Sequence, residues 1–202
     1  MAHPYLIHLG GPSNERLVPA VPPSPGRSLA AIRSHLRAAQ AAGARQVLFT
    51  GGEPTLRRDL LRLVRLARGM GLGVGLATNA RTLIYPRLRQ ALLASGVTHF
   101  RISLHAATAA IHDDMVGVPG AFAQTLAALR ALRAEASTIQ VEVVICVTPR
   151  NQDQPEALAA LVATLPGQVK LVEARPGGQR PNSFNFEHCR DLPGFTLCPD
   201  AC

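Results

Sequence analysis

Short, continuous apolar runs alternate with longer amphipathic stretches along this chain. Residues 5–9, 47–49, 74–77, 99–104, 141–147 and 169–172 read as six strands. Their apolar positions are consecutive rather than alternate, the mark of parallel strands covered on both faces. Between them lie helical periods. Ser28 caps a helix with Leu29, Ile32, Leu36 and Ala39 on one face, and Gly43 closes it. Leu60, Leu63, Val64 and Ala67 give a second helix its stripe, which ends at Gly69. Pro86 sits in the first turn of a third, with Leu88 and Leu92 on its face. Residues 121–136 and 155–165 supply two more. Residues 10–25 form a proline-rich loop, residues 106–120 a long connection containing His112-Asp113-Asp114, and the composition from Arg175 onward is that of a tail.

Alternating strands and helices with right-handed crossovers give either a doubly wound sheet or a barrel-like arc. In both, the site lies at the carboxyl ends of the strands. Glu53, Asn79, Ser103 and His105 fall on that edge.

Composition narrows the picture. A length of 202 residues fits one domain with a tail. No apolar run approaches the ~20 residues of a membrane-spanning helix, and the N-terminus has no signal-peptide pattern. A cytoplasmic protein with no membrane partner is the expectation. The net charge is +8, and Lys170 is the single lysine. Arginines such as Arg58, Arg62, Arg65 and Arg68 read as a solvated helix face. With eight aromatics and no tryptophan, base-stacking platforms are scarce, which argues against a nucleic-acid partner. Cys146 lies in a strand-like run and reads as core. Cys189, Cys198 and Cys202 cluster in the last fourteen residues and point to metal or redox chemistry.

The strand ends carry motifs in a fixed order. Gly51-Gly52-Glu53-Pro54-Thr55 closes the second strand, Thr78-Asn79-Ala80 the third, and Arg101-Ile102-Ser103-Leu104-His105 the fourth. Gly117-Val118-Pro119-Gly120 precedes the next helix, and Asn151 follows the fifth strand. Together they resemble the core domain of the radical S-adenosylmethionine (radical SAM) superfamily, over residues 5–174. The resemblance implies an α/β fold, a partial (β/α)6 barrel of parallel strands. Residues 1–174 are then the barrel, and residues 175–202 an irregular, cysteine-containing tail. It also implies a SAM pocket. Gly51, Gly52, Glu53 and Pro54 match the segment that holds the methionyl amino group. Asn79 and Ser103 match strand ends that face the cofactor's carboxylate and ribose, and Thr78 and His105 beside them are counted with the cofactor-binding residues. Residues 147–151 lie where such proteins approach the ribose or adenine.

One departure stands out. The family's loop after the first strand holds a [4Fe–4S] cluster through CxxxCxxC, and residues 10–26 here contain neither cysteine nor histidine. Ser13, Asn14 and Glu15 are poor substitutes for soft thiolates. The first expectation is therefore a pseudoenzyme or accessory subunit that retains SAM binding and partners an active radical SAM enzyme or a peptide substrate. The alternative is an active SAM-dependent enzyme. It would be either a cluster enzyme using Cys189, Cys198 and Cys202, whose C-x8-C-x3-C spacing leaves one iron open, or a non-radical transferase. His188 beside Cys189 also permits a Cys3His zinc site. For a transferase, His105 is the best general base, with His8 and His112 nearby.

Overall fold

The computed structural model describes residues 4–16, 24–135, 138–165, 169–174 and 196–197. Six strands joined by helical crossovers order it: β1 (Tyr5–His8), α1 (Leu29–Ala41), β2 (Gln46–Thr50), α2 (Leu60–Gly69), β3 (Gly73–Thr78), α3 (Pro86–Ala94), β4 (Val97–Ser103), α4 (Ala109–Val116), α5 (Ala121–Glu135), β5 (Gln140–Cys146), α6 (Pro155–Ala163) and β6 (Val169–Ala174). A two-residue β7, Thr196–Leu197, follows. The sheet order is β6-β5-β4-β3-β2-β1-β7, and every pairing is parallel. The parallel six-stranded arrangement is that of a partial (β/α)6 barrel. Among the described residues no single helix is long and apolar enough to cross a membrane.

The helices form as their patterns dictate. Ser28 accepts from the Ala31 amide at 3.2 Å, so α1 starts where the cap sits. It buries Ile32, Leu36 and Ala39. The core lies between helices and sheet. Tyr5 and Ile7, Val47 and Phe49, Val74 and Leu76, and Phe100 and Ile102 occupy alternate strand positions on one face and join it.

The other face differs from the expectation of strands apolar on both sides. There Arg101 Nε donates to Glu142 Oε2 at 2.5 Å, and His99 Nε2 lies 3.4 Å from the same oxygen. Lys170 Nζ is 3.7 Å from Glu142 Oε1. The His99 bond, with Arg101 adding to it, holds the Glu142 carboxyl down at about 2 against the effect of burial. Gly75 makes room on this face. A Cβ there would lie 2.8 Å from Leu48 Cδ1 and 3.2 Å from His99 Cβ.

Two further features differ from the pattern-based reading. The long connection at residues 106–120 contains a true helix, α4. It ends at Gly117 with φ of +64°, and its Asp113 carboxylate accepts from the Gly120 and Phe122 amides at the start of α5. The stretch assigned to the irregular tail contains β7, paired with Tyr5 and Leu6 of β1. Cys146 is buried on β5, as its setting implied.

Candidate functional site

The carboxyl ends of β2, β3 and β4 converge around Glu53. The turn after β2 needs both glycines. Gly51 has φ of +100°, and a Cβ there would lie 2.5 Å from His8 Nε2. Gly52 has φ of +51°, and a Cβ would meet the Gly11 and Pro12 carbonyl oxygens at 2.4 and 2.6 Å. Pro54–Leu56 then forms a single 3-10 turn.

Glu53 is only 2% exposed. Its Oε1 accepts from Thr55 N at 3.0 Å, Thr55 Oγ1 at 2.6 Å and Thr78 Oγ1 at 2.6 Å. Its Oε2 accepts from Asn79 N at 2.8 Å. Burial pushes the Glu53 carboxyl above its ordinary range, and these bonds work against that rise. The carboxylate thus fastens the ends of β2 and β3 together. The turn it holds is strained. Ala80 has φ of +61°, a left-handed conformation that costs a non-glycine residue about 1 kcal/mol. Bonds from Ala80 N to Thr78 Oγ1 at 3.0 Å and from Arg81 N to Asn79 Oδ1 at 3.1 Å keep it.

The loop after β1 lies across these turns. Glu53 N donates to Pro12 O at 2.8 Å, and Asn79 Nδ2 to Asn14 Oδ1 at 2.7 Å. The Arg81 guanidinium donates to Asn14 O and, through Nε, to Gln124 Oε1 at 2.8 Å. Arg16 N reaches Val116 O, the last residue of α4, at 2.8 Å. Gly117 accommodates that end, since a Cβ on it would lie 2.4 Å from Arg16 O. Burial, then the neighbouring Glu53 charge, push the Glu15 carboxyl up to about 8, while Arg81 and a hydrogen bond with Asn79 oppose the rise. Pattern reading did not single out Arg81, Thr125 (whose Oγ1 donates to Asn79 O at 2.9 Å) or the functional side of Asn14 and Glu15. Arg81 has one sequence signal, its position beside the turn after β3; Thr125, inside α5, has none.

On the β4–β5 side, His105 N donates to His112 Nδ1 at 3.1 Å, and the two rings stack with centroids 5.7 Å apart. Burial, then the His112 charge, bring His105 down to about 3. Burial leads the fall of His112 to about 4, opposed by Asp113 and assisted by Arg81. Both imidazoles are neutral near pH 7. Burial makes His105 a weaker proton acceptor than a free imidazole. Asn151, fully buried, donates through Nδ2 to His105 O at 2.8 Å and Cys146 O at 3.0 Å. It also accepts from Thr148 N at 2.7 Å. It ties the end of β5 to the turn after β4. Ser103, at the last position of β4, is half-buried on this edge.

Among the described residues no group of three or more His, Cys, Asp or Glu side chains is placed to hold a metal. Cys146 is the one described cysteine, and residues 10–26 have none. The described residues therefore do not fit an iron–sulfur cluster. Cys189, Cys198 and Cys202, the cysteines expected to bind metal, lie outside the described residues, as does His188.

Comparison with known proteins gives this edge a context. An AdoMet-dependent heme synthase from Methanosarcina barkeri is 37% identical over 108 residues, which is 54% of this chain and 30% of that protein. The mycofactocin maturase MftC of Mycolicibacterium smegmatis is 34% identical over 138 residues, 68% of this chain and 34% of its own. The chain thus spans about a third of the length of these curated relatives. Among solved structures, SuiB of Streptococcus suis superimposes with a TM-score of 0.68 at 15% identity, over 98% of this chain and 50% of its own. The same protein is known bound to S-adenosylmethionine and to the precursor peptide SuiA.

These relatives correct the pseudoenzyme expectation. It rested on missing cysteines in residues 10–26, whereas the relatives that align with this chain are named as a synthase and a maturase. The sequence profile of the Radical SAM superfamily matches residues 12–162, three quarters of the chain, and spans all the strand-end turns described above. The chain belongs to the radical SAM superfamily.

Proposed function

We propose that this protein is an active S-adenosylmethionine-dependent enzyme whose cofactor binds at the carboxyl edge of β2–β4, with a peptide as the substrate class. The observation that carries the reading is the convergence on Glu53 of the two turns that distinguish the family, Gly51-Gly52-Glu53-Pro54 and Thr78-Asn79. Glu53 shapes the site by holding those turns. Asn79, Ser103 and the backbone of residues 51–54 line it, and His105 supports the β4 side. The peptide assignment draws on SuiB, a fold neighbour solved with a precursor peptide.

No step of this reading runs through a cluster, because the described residues do not fit one. Cys189, Cys198 and Cys202 are the remaining candidates for iron or zinc. Cys198 follows Leu197, the end of β7, which pairs with β1. A second reading, a non-radical transferase, is favoured by the absence of cysteine from residues 10–26.

Product analysis separates the two readings. The full chain is reconstituted anaerobically with iron and sulfide, assayed for iron, and incubated with SAM and a reductant. Formation of 5′-deoxyadenosine supports the cluster enzyme, and its loss in a Cys189→Ala, Cys198→Ala, Cys202→Ala variant assigns the thiols. S-adenosylhomocysteine or methylthioadenosine supports the transferase. SAM recovered intact under every condition, with peptide present, overturns the proposal.

A further inference from the structure

The two ends of the sheet are finished differently. At one end β7 pairs with Tyr5 and Leu6 of β1. At the other, β6 pairs with β5 from Val169 to Ala174, and no strand among the described residues lies on its far side. The burial of matched positions records that difference. Val141, Val143 and Val144 of β5 are buried, whereas their register partners Val169, Leu171 and Val172 are only half-buried. The outer edge of β6 thus offers backbone groups beside incompletely covered apolar side chains, a template for one more strand. Lys170, set among those apolar residues, has a side chain 72% exposed and is the single lysine of the chain. Its neighbour Glu142 is already engaged by Arg101 and His99, and Lys170 Nζ stands off at 3.7 Å. Arg101 and Lys170 against one carboxylate leave positive charge in excess at this edge. Lys170 and Val172 lie on the same face as Ser103, whose register partner Val144 is also that of Val172.

We infer that the outer edge of β6 is the docking surface for the peptide: an extended, acidic peptide adds to it as a further strand, and one of its carboxylates pairs with Lys170. The inference rests on the peptide reading above and adds where, and by what chemistry, the peptide is held. Backbone bonds to β6 hold a strand of any sequence, and the Lys170 contact selects for acid. A basic peptide would meet like charge at Lys170 and Arg101, in a chain of net charge +8. A lysine on an edge strand also discourages pairing between copies of the same chain. An acidic strand is the partner for which that same residue is attractive. Laid beside β6, the peptide runs along the sheet to its carboxyl edge and passes the level of Ser103.

The test uses the full chain and the acetylated, amidated peptide Thr-Val-Glu-Val-Thr-Val. Its controls are the same peptide with Gln for Glu, and the Glu peptide N-methylated at every backbone nitrogen, which has no donors for a ladder. Affinity is read by titration calorimetry, and amide exchange within residues 169–172 is followed with and without peptide. The Glu peptide is expected to bind about threefold more tightly than the Gln peptide, the scale of a partly exposed ion pair. Exchange within residues 169–172 slows when it binds, and the N-methylated peptide does not bind. Lys170→Gln erases the preference for Glu, and Lys170→Arg keeps it. A preference unchanged in Lys170→Gln, equal binding of the N-methylated peptide, exchange at β6 indifferent to peptide, or no binding at millimolar peptide overturns the inference. Protection of every one of these amides in the free chain also overturns it, since the chain's own residues would then hold the edge. Product analysis with SAM keeps the two readings apart. Peptide modified with no change at β6 overturns the docking alone. Docking at β6 with SAM left intact in every condition supports the docking, and it is the enzymatic reading that fails.

Discussion

The backbone amide of Asn79 donates to Glu53 Oε2 at 2.8 Å, which fixes the end of β3 against the end of β2 through a fully buried carboxylate. Three further donors share that carboxylate. Two turns that are separate in sequence are thereby made one edge. The glutamate of the Gly-Gly-Glu-Pro motif works here first as an internal acceptor.

Replacing Glu53 should therefore cost stability before it costs binding. Glu53→Ala leaves four donors without their acceptor in a buried setting. The expected loss is at least about 3 kcal/mol, taking 1–3 kcal/mol for each unsatisfied group with partial relaxation. Glu53→Gln keeps an acceptor oxygen but sets an NH2 against other donors, so it should lie between wild type and alanine. Denaturant unfolding measures both. A loss under about 1 kcal/mol for Glu53→Ala would show that the carboxylate is not a staple.

Gly52→Ala tests the crossing of residues 11–16, a strap over the turn after β2. The substitution asks alanine to adopt φ of +51° with its Cβ 2.4 Å from Gly11 O. Either the turn or the strap must shift. The expected cost is about 2 kcal/mol or more, from left-handed strain together with the clash. Proteolytic nicking within residues 11–16 should rise in the variant. Stability and nicking equal to wild type would place the strap elsewhere in solution.

Strap docking should weaken as pH rises. Docked, the Glu15 carboxyl is pushed up to about 8 from the ordinary 4.5, so the docked form binds the extra proton. Docking is then strongest below the ordinary carboxylate range and declines as pH climbs from about 4.5 to 8. The groups facing Glu15 are Glu53 from the turn after β2, and Asn79 and Arg81 from the turn after β3. From α4 the strap meets the backbone at Val116 and Gly117. Exchange of the Arg16 amide, corrected for its intrinsic pH dependence, should lose protection over this window in wild type. In Glu15→Gln, protection should stay constant. Equal slopes in the two proteins would remove Glu15 from the account.

The Glu142 cluster should act in the opposite sense. Its carboxyl is held at about 2, below the ordinary 4.5, by His99 and Arg101. The stability it contributes is present above the ordinary range and disappears as pH falls through about 2. Glu142→Gln should flatten the acid limb of stability against pH and lower the plateau at neutral pH. An acid limb identical to wild type would show that this ion pair does not govern acid unfolding.

Much of this architecture is legible in the amino-acid pattern. The six strands and their covering helices follow from local periodicity, because each βα unit buries its own apolar face. The turns at Gly51-Gly52-Glu53-Pro54 and Thr78-Asn79 announce themselves by residue types that few backbones need. The strap does not. Gly11-Pro12-Ser13-Asn14-Glu15-Arg16 has the composition of any polar turn, and the partners of Asn14 lie 65 and 67 residues away. Glu142 and Arg101, 41 residues apart, meet only through the register of β4 and β5. The helix α4 leaves little trace in the pattern, because Thr108 gives no side-chain cap bond and its eight residues carry a weak stripe.

The most direct test of the central claim is equilibrium binding of S-adenosylmethionine to the full chain. It should be done with and without iron. The account predicts saturable, one-to-one binding. No binding in either condition, while the protein remains folded, would contradict it.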